Sequence, residues 1–388
     1  MSNHQKIIND YVVVDGHQEI LDEYVYEFLK NEEKAVLGEI HVFDKIYKPI
    51  LEKQGVNLVN MSVGGDHVAQ VMYSATDTLR FWDAHKKLDI LNCELEGGCK
   101  SFILCRNASD IDYALQNNKI AVLATLSGGR PLEGKPNLNL LSSLRSLYRM
   151  GLRGLQLTGN SRNRLGDGVA QTRTKGKLTG FGKKIVKEAD RLGIVLDTAQ
   201  LSDYGFFDLI EETKNPVIDS HSCAKAVYNH PRNISDERIK TIAQSGGVIA
   251  VSFWSALVAG DKEAPDAEDL FRHIDHIVEI AGINHVALGP DYSAYKTPKD
   301  RKIVKGFANL GPDYCGTDRL TPVQSEKYPG WIDGIWYGIR KNDFIEGPSC
   351  HESFSGIIKE LLNHGYTEND CKKILGNNFI RVYKEILK

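Results

Sequence analysis

The chain has 388 residues, of which 26% are charged and 41% apolar, and its formal net charge is −3. This is the profile of a globular protein long enough for one large α/β barrel or for two ordinary domains. The balanced charge gives no field that would draw it to nucleic acid or an anionic membrane, and no apolar run approaches the roughly 20 residues needed to cross a bilayer.

The first residues, Met1 to Lys6, are polar and lack a signal-peptide core, so a cytoplasmic location is expected. A periplasmic or secreted location stays open if a leader was removed. The seven cysteines form no Cys-x-x-Cys pair, and their odd number in a long chain points to reduced thiols. Cys223 lies two residues past His221 and reads as a small buried filler.

In chain order, β-rich runs occupy 11–17, 57–63, 120–126, 154–158, 194–199, 217–222, 247–253 and 285–290. Amphipathic stretches separate them, such as 139–150 and 182–192. The second carries Ile185, Val186, Ala189 and Leu192 on one face at helical spacing. Eight strand–helix alternations point to a parallel sheet closed as a (β/α)8 TIM-type barrel forming a single domain over 1–388. The irregular stretch 294–350, rich in Gly, Pro and aromatics, reads as an insertion decorating the mouth, with Trp331, Trp336 and Tyr337 as a wall or anchor. The runs 351–364 and 368–388 read as closing helices.

In such barrels the strand C-termini carry the active site. The first run ends in His17-Gln18-Glu19, which puts an imidazole and a carboxylate on one face of a strand, a grip suited to one metal ion. The third ends at Ser127, and the fourth at Gly159 and Asn160. The fifth contributes Asp197 and Gln200, the sixth Asp219 and His221, and the eighth Asp291. Ionisable groups gathered at separate strand ends are costly to bury without partners, so the set points to a site. Basic side chains crowd the same edge: Arg130, Arg162, Arg164, Arg173, Lys175 and Arg232. They suit a small anionic substrate, because guanidinium grips a carboxylate with two parallel hydrogen bonds.

The order of these pieces resembles the membrane (renal) dipeptidase family of zinc metallopeptidases over nearly the whole chain. The resemblance rests on Val14-Asp15-Gly16-His17, on Gly64-Gly65 with Gln70, on 141–158 and on 178–182 followed by Arg191-Leu192-Gly193. It continues through Asp219-Ser220-His221-Ser222, Pro231-Arg232-Asn233, Gly289-Pro290-Asp291-Tyr292 and 376–382. It implies a metal-dependent hydrolase of the metal-dependent hydrolase superfamily, and a homodimer as the assembly. It also implies His17 as a zinc ligand with Glu19 standing for an aspartate, His221 as a second histidine ligand, Arg232 as the substrate-carboxylate clamp, and Asp291 as the proton-handling group.

Three positions depart from the family pattern. Ser127 stands where a bridging glutamate belongs, Gln200 replaces a histidine, and Gly159 occupies a histidine position after the fourth run. Two close zinc ions need a bridging anion between them, and neither a serine hydroxyl nor an amide oxygen supplies one. The expectation is one divalent metal, zinc first and manganese as the alternative. His17, Glu19 and Asp291 would hold it, with His221 or Gln200 completing the shell. Asp291 and His221 are the candidate catalytic groups, and Arg232, Arg130, Asn160, Arg162 and Ser127 the substrate contacts. Glu96-Gly97-Gly98 has the letters of the bridging motif but precedes the third run and reads as a surface loop.

Three functions follow from these residues. The first is a metallohydrolase cleaving an amide in a small carboxylate-bearing substrate. The second is a lyase or dehydratase acting on an acidic sugar in the same pocket. The third is a catalytically inactive binding protein on the dipeptidase scaffold.

Overall fold

A computed structural model describes residues 11–19, 22–66, 77–133, 140–171, 174–260, 266–291 and 354–388. The insertion expected at 294–350, together with Gln70, Arg173 and the three mouth aromatics, lies outside the described residues.

The strands are β1 (Val14–Glu19), β2 (Leu58–Gly65), β3 (Phe102–Leu104), β4 (Ile120–Ser127), β5 (Leu152–Gln156), β6 (Val195–Asp197), β7 (Ile218–Ser222), β8 (Val248–Val251) and β9 (Val286–Leu288). All pair in parallel in the order β1-β2-β4-β5-β6-β7-β8-β9, with β3 attached to β4. The eight strands of that path correspond one for one to the eight runs read from the sequence. They form a nearly closed TIM-type barrel with helices between successive strands. Every residue of β2 and β4 is buried, as a strand covered on both faces requires.

The ninth strand, β3, is an addition to the expected eight. It takes the edge of β4 at Ile120–Val122, while β5 takes Ala124–Ser127 higher on the same strand. Three residues are too few to show a period, so nothing in the sequence pattern announced it.

The helices fall where the apolar stripes place them, at Leu140–Met150 and Gly180–Leu192. The second buries Ile185, Val186 and Ala189, and Thr179 caps it by accepting a hydrogen bond from Gly182 N. The C-terminal run divides into Glu368–Lys372, a π-turn at Lys373–Asn377, and Asn378–Ile386. The π-turn brings Gly376 against the backbone of Val12 and lets Asn378 Nδ2 donate to the carbonyls of Ile283 and Val286, 2.8 Å each. Phe379 then reaches the barrel interior beside Gly16. A Cβ on Gly16 would lie 2.8 Å from the Phe379 ring, 2.8 Å from Ser220 O and 3.0 Å from Leu288 O. Glycine is therefore what lets β1 approach β7 and β9 and bring the barrel nearly to closure.

The loop after β7, which carries Arg232, is pinned by His273 on the helix Ala267–Ala281. Its Nδ1 accepts from Ala224 N at 3.1 Å and its Nε2 donates to Val258 O at 2.8 Å, a neutral imidazole with both nitrogens satisfied. Burial, ahead of the other influences, holds its pKa down at about 4 against an ordinary value of 6.5. The unfolded chain therefore binds a proton that the fold does not. This histidine costs nothing above pH 6.5 and withdraws about 3 kcal/mol of stability as pH falls through 4. Urea unfolding between pH 7 and pH 4 should show a steeper loss in the wild type than in His273→Gln. Equal slopes would contradict this role.

Candidate active site and metal centre

His17, His221 and Asp291 arrive from β1, β7 and the turn after β9, which the Gly16 contact holds together. The two imidazoles stack with centroids 4.1 Å apart and planes 22° from parallel. Asp291 Oδ1 lies 3.9 Å from His17 Nε2, and one donor atom from each of the three residues falls within 4.8 Å of the others. Glu19 joins through His17, its Oε1 3.5 Å from Nε2. Two imidazoles and a carboxylate so close suit one divalent ion such as zinc, with the Glu19 carboxylate at hand.

The backbone at this edge is strained in two places. Asp291 has φ +62° and Gln200 φ +64°, left-handed conformations that cost non-glycine residues on the order of 1–3 kcal/mol. Such strain persists where surrounding structure fixes the geometry, and both positions lie just past a strand C-terminus.

A buried hydrogen-bond chain orients His221. Asp197 Oδ1 accepts from the amides of Ala199 and Ser220 at 3.0 and 3.1 Å, and its Oδ2 accepts from Ser220 Oγ at 2.5 Å. Ser220 Oγ lies 2.6 Å from His221 Nδ1, so Nε2 is the nitrogen His221 offers a metal. On β1, the amide of His17 donates to Asp15 Oδ1 at 3.0 Å, which fixes the strand end from behind.

The site is electrostatically negative. Burial alone would lower the His17 pKa, but the Glu19 hydrogen bond and the fields of Asp291, Glu19 and Asp197 carry it up to about 9. Burial would raise Glu19, yet His17, Lys87 and Ser62 together hold it below its ordinary value. Burial pushes Asp15 up to about 7, and burial with the neighbouring Asp219 charge raises Asp197. These carboxylates jointly favour a cation among them.

The other predicted residues divide into those at the site edge and those that brace it. Ser127 Oγ donates to Ser62 Oγ at 2.6 Å, and Ser62 in turn hydrogen-bonds the Glu19 carboxylate. Gln200 Oε1 accepts from Gln156 Nε2 at 2.8 Å. Two of the three positions that depart from the family pattern are thus bonded to neutral side chains, Ser127 to Ser62 and Gln200 to Gln156. Arg232 is 2% exposed, donating from Nη1 to Ser222 Oγ at 2.7 Å and from Nη2 to His221 O at 2.9 Å. Burial lowers its pKa, while Asp219, Asp291 and Asp197 favour its charge. Among the described residues no carboxylate lies within 4.0 Å of it, so these three aspartates act on it at longer range. Asn160 is buried with its Oδ1 unpartnered among the described residues. Arg130 Nη2 donates to Arg162 O at 3.2 Å, and Arg162 is committed to a salt bridge with Asp167. Asp219 faces Arg238, 3.5 Å away, and Cys223 is core filler that donates to Ser252 O. Glu96 is exposed at the end of the helix Asp77–Glu96, away from the strand C-termini, as a surface position should be.

Three residues that matter here were not singled out from the sequence. Ser62 links Ser127 to Glu19. Ser220, quoted above only within a motif, holds His221. Asp66 accepts from Arg130 N (2.9 Å), Gly159 N (2.8 Å) and Asn163 Nδ2 (3.1 Å), tying together the loops after β4 and β5. Gly128, at φ +123°, makes room for that carboxylate, since a Cβ there would lie 2.4 Å from Asp66 Oδ1. The available signal was position: Ser62 and Asp66 flank the Gly64-Gly65 pair at the end of β2.

Comparison with known proteins gives the family and agrees with the fold. A family model described as membrane dipeptidase (Peptidase family M19) matches residues 1–311. The chain belongs to that family. A metallopeptidase from Rhodobacter sphaeroides, solved with a phosphinate mimic of the dipeptide L-Ala-D-Ala, superposes with a TM-score of 0.70 at 18% identity. That match covers 97% of this chain and 99% of the other. A probable dipeptidase, PvdM, from Pseudomonas aeruginosa superposes with a TM-score of 0.71 at 16% identity, covering 99% and 97%. An uncharacterized Klebsiella pneumoniae protein from the pqqA 5′ region is 29% identical over 215 residues, 53% of this chain and 78% of its own. At these identities the solved structures bear on the fold. The family match makes the chain a relative of metal-dependent dipeptidases.

Removing the Ser220 hydroxyl should leave His221 free to rotate. Ser220→Ala is expected to weaken zinc binding at the site about 10- to 100-fold with the fold unchanged by circular dichroism. Calorimetric titration of zinc into both proteins checks this, and equal affinities would contradict the orienting role.

Proposed function

We propose that the protein is a metallohydrolase that cleaves an amide bond in a small substrate bearing a free carboxylate, using one divalent metal ion. The single observation that carries this reading is the convergence of His17, His221 and Asp291 within 4.8 Å, with buried Arg232 bonded to the carbonyl of His221 itself. His17, His221 and Asp291 would hold the ion, zinc by donor type, with Glu19 beside them. When bound, such an ion polarises a carbonyl and lowers the pKa of water.

The remaining work falls to the chain's own side chains. Arg232 fixes the substrate carboxylate with a bidentate pair and so sets the register of the amide against the site. Asn160 and Arg130 border the mouth and complete the substrate contacts. Asp291 is the group placed to move a proton between the nucleophile and the leaving amine. The hydroxyls of Ser127 and Ser62 take the place where the family pattern expects a bridging anion, which favours one metal over two.

The phosphinate dipeptide mimic bound by the Rhodobacter relative makes a dipeptide the first substrate to try. The test is hydrolysis of dipeptides and of their C-terminal amides by the zinc-loaded protein, read as release of free amine. The free-acid form should be preferred by roughly a hundredfold in kcat/KM, and Arg232→Met should erase the preference by lowering the rate on the acid. No amine release from any carboxylate-bearing amide would overturn the reading and leave the lyase and binding alternatives. An acid preference that survived Arg232→Met would move the clamp elsewhere.

A further inference from the structure

Far from the barrel mouth, His41, Glu94 and Cys99 place one donor atom each within 4.8 Å of one another. Cys99 precedes β3, on the N-terminal edge of the sheet, whereas His17, His221 and Asp291 stand at the opposite edge. Glu94 comes from the last turn of the helix Asp77–Glu96, and His41 is the residue preceding the helix Val42–Gln54. We propose that these three residues form a second metal site, structural rather than catalytic, which takes one zinc ion.

Two observations point to a missing cation. The Glu94 side chain has no exposure to solvent, and the only basic group near it among the described residues is His41, with Nδ1 4.0 Å from Oε2. One carboxylate oxygen, Oε1, accepts from the amides of Val42 and Phe43 at 2.8 and 3.3 Å. The other, Oε2, is buried without a hydrogen-bond partner, and so is His41 Nδ1. The Tyr24 hydroxyl, whose ring packs on Phe43, is a third buried and unpartnered polar atom in the region. A carboxylate oxygen and an imidazole nitrogen that face each other at 4.0 Å without bonding are spaced for an ion between them. Native structures keep few such orphans, because each costs the full desolvation of the group.

The donor set selects the ion. Imidazole with thiolate suits zinc, while magnesium and calcium demand oxygen shells. With ligand bonds of about 2.0–2.3 Å, tetrahedral zinc wants donors about 3.3–3.8 Å apart. From separations of up to 4.8 Å, the three atoms therefore need to draw in by at most about 1.5 Å, within reach of side-chain torsions. Cys99 Sγ now lies 3.4 Å from Ser101 Oγ and 3.8 Å from Asp44 Oδ1. On binding, the thiol gives its proton to solvent and the thiolate joins the ion, with no change of oxidation state. The His41 side chain is 27% exposed, so solvent reaches the fourth position and water fills it. The ion would staple the start of one helix to the end of another and the approach to β3, with His41 over fifty residues from Glu94 and Cys99, which lie five residues apart.

Cobalt(II) reports thiolate ligation directly through a sulfur-to-metal charge-transfer band. The full-length protein with His17→Ala and His221→Ala removes the mouth site as a competitor. Titrated with cobalt chloride, it should develop the band to an end point of one equivalent. Added zinc should bleach the band and raise the melting temperature. Cys99→Ser in that background should abolish the band, and His41→Ala should weaken the binding that produces it. Should Cys99→Ser fail to fold by circular dichroism, the partly exposed His41→Ala decides the matter by the same loss. Absence of the band at several-fold cobalt excess, or a band untouched by both substitutions, would overturn the proposal. Neither result would bear on the dipeptidase-like reading, which concerns residues at the other edge of the sheet.

Discussion

The close approach of β1 to β7 and β9 is the constraint from which the site follows. It is possible only because Gly16 has no side chain: a methyl group there would press on two backbone carbonyls and on the Phe379 ring. With the strands this close, His17 and His221 have little choice but to stack, and the turn after β9 delivers Asp291 to the same spot. The C-terminal helix contributes from beneath, since its π-turn sets Phe379 under Gly16 and Asn378 on the carbonyls around β9. Packing at the barrel's base and chemistry at its mouth are thereby coupled through one residue.

The second determinant is charge. The fields of Glu19, Asp291 and Asp197 raise the pKa of His17, and burial raises that of Asp197, so the cluster favours positive charge at its centre. The neighbouring positions have moved the other way. Ser127 bonds Ser62, and Gln156 bonds Gln200, so neutral pairs occupy places where the family pattern expects an anion and an imidazole. A second ion at that point would lack both its bridge and a strong ligand. Buried Arg232 is held by a hydroxyl and a carbonyl, beside the histidine that joins the metal-ligating cluster.

Much of this was legible from the residue order. Strands buried on both faces announce themselves as apolar runs, and polar residues at their C-terminal ends are conspicuous against that background, which is why His17, His221 and Asp291 could be named together. Arg232 was legible through resemblance, as was the family. The hydroxyl links were not: Ser62 and Ser220 are ordinary strand residues whose roles depend on which strand lies alongside. Asp66 was likewise invisible, because its three donors come from segments 64 to 97 residues away. Nor could charge counting show that Arg162 pairs with Asp167, a partner five residues along its own loop. β3 was too short to carry a pattern. Glu94 and Cys99 stand only five residues apart, but His41, the third member of their cluster, comes from a helix start over fifty residues away, so the set was not legible.

The central claim is that the mouth holds a single metal ion. The direct measurement is zinc content by inductively coupled plasma mass spectrometry after loading and desalting. It is best made in a Cys99→Ser background, so that the site at the far edge adds nothing to the count. The account predicts one zinc per chain, lost when His17→Ala and His221→Ala are added. Two zinc ions per chain, both lost with those substitutions, would contradict it and place a second ion against Ser127 and Gln200.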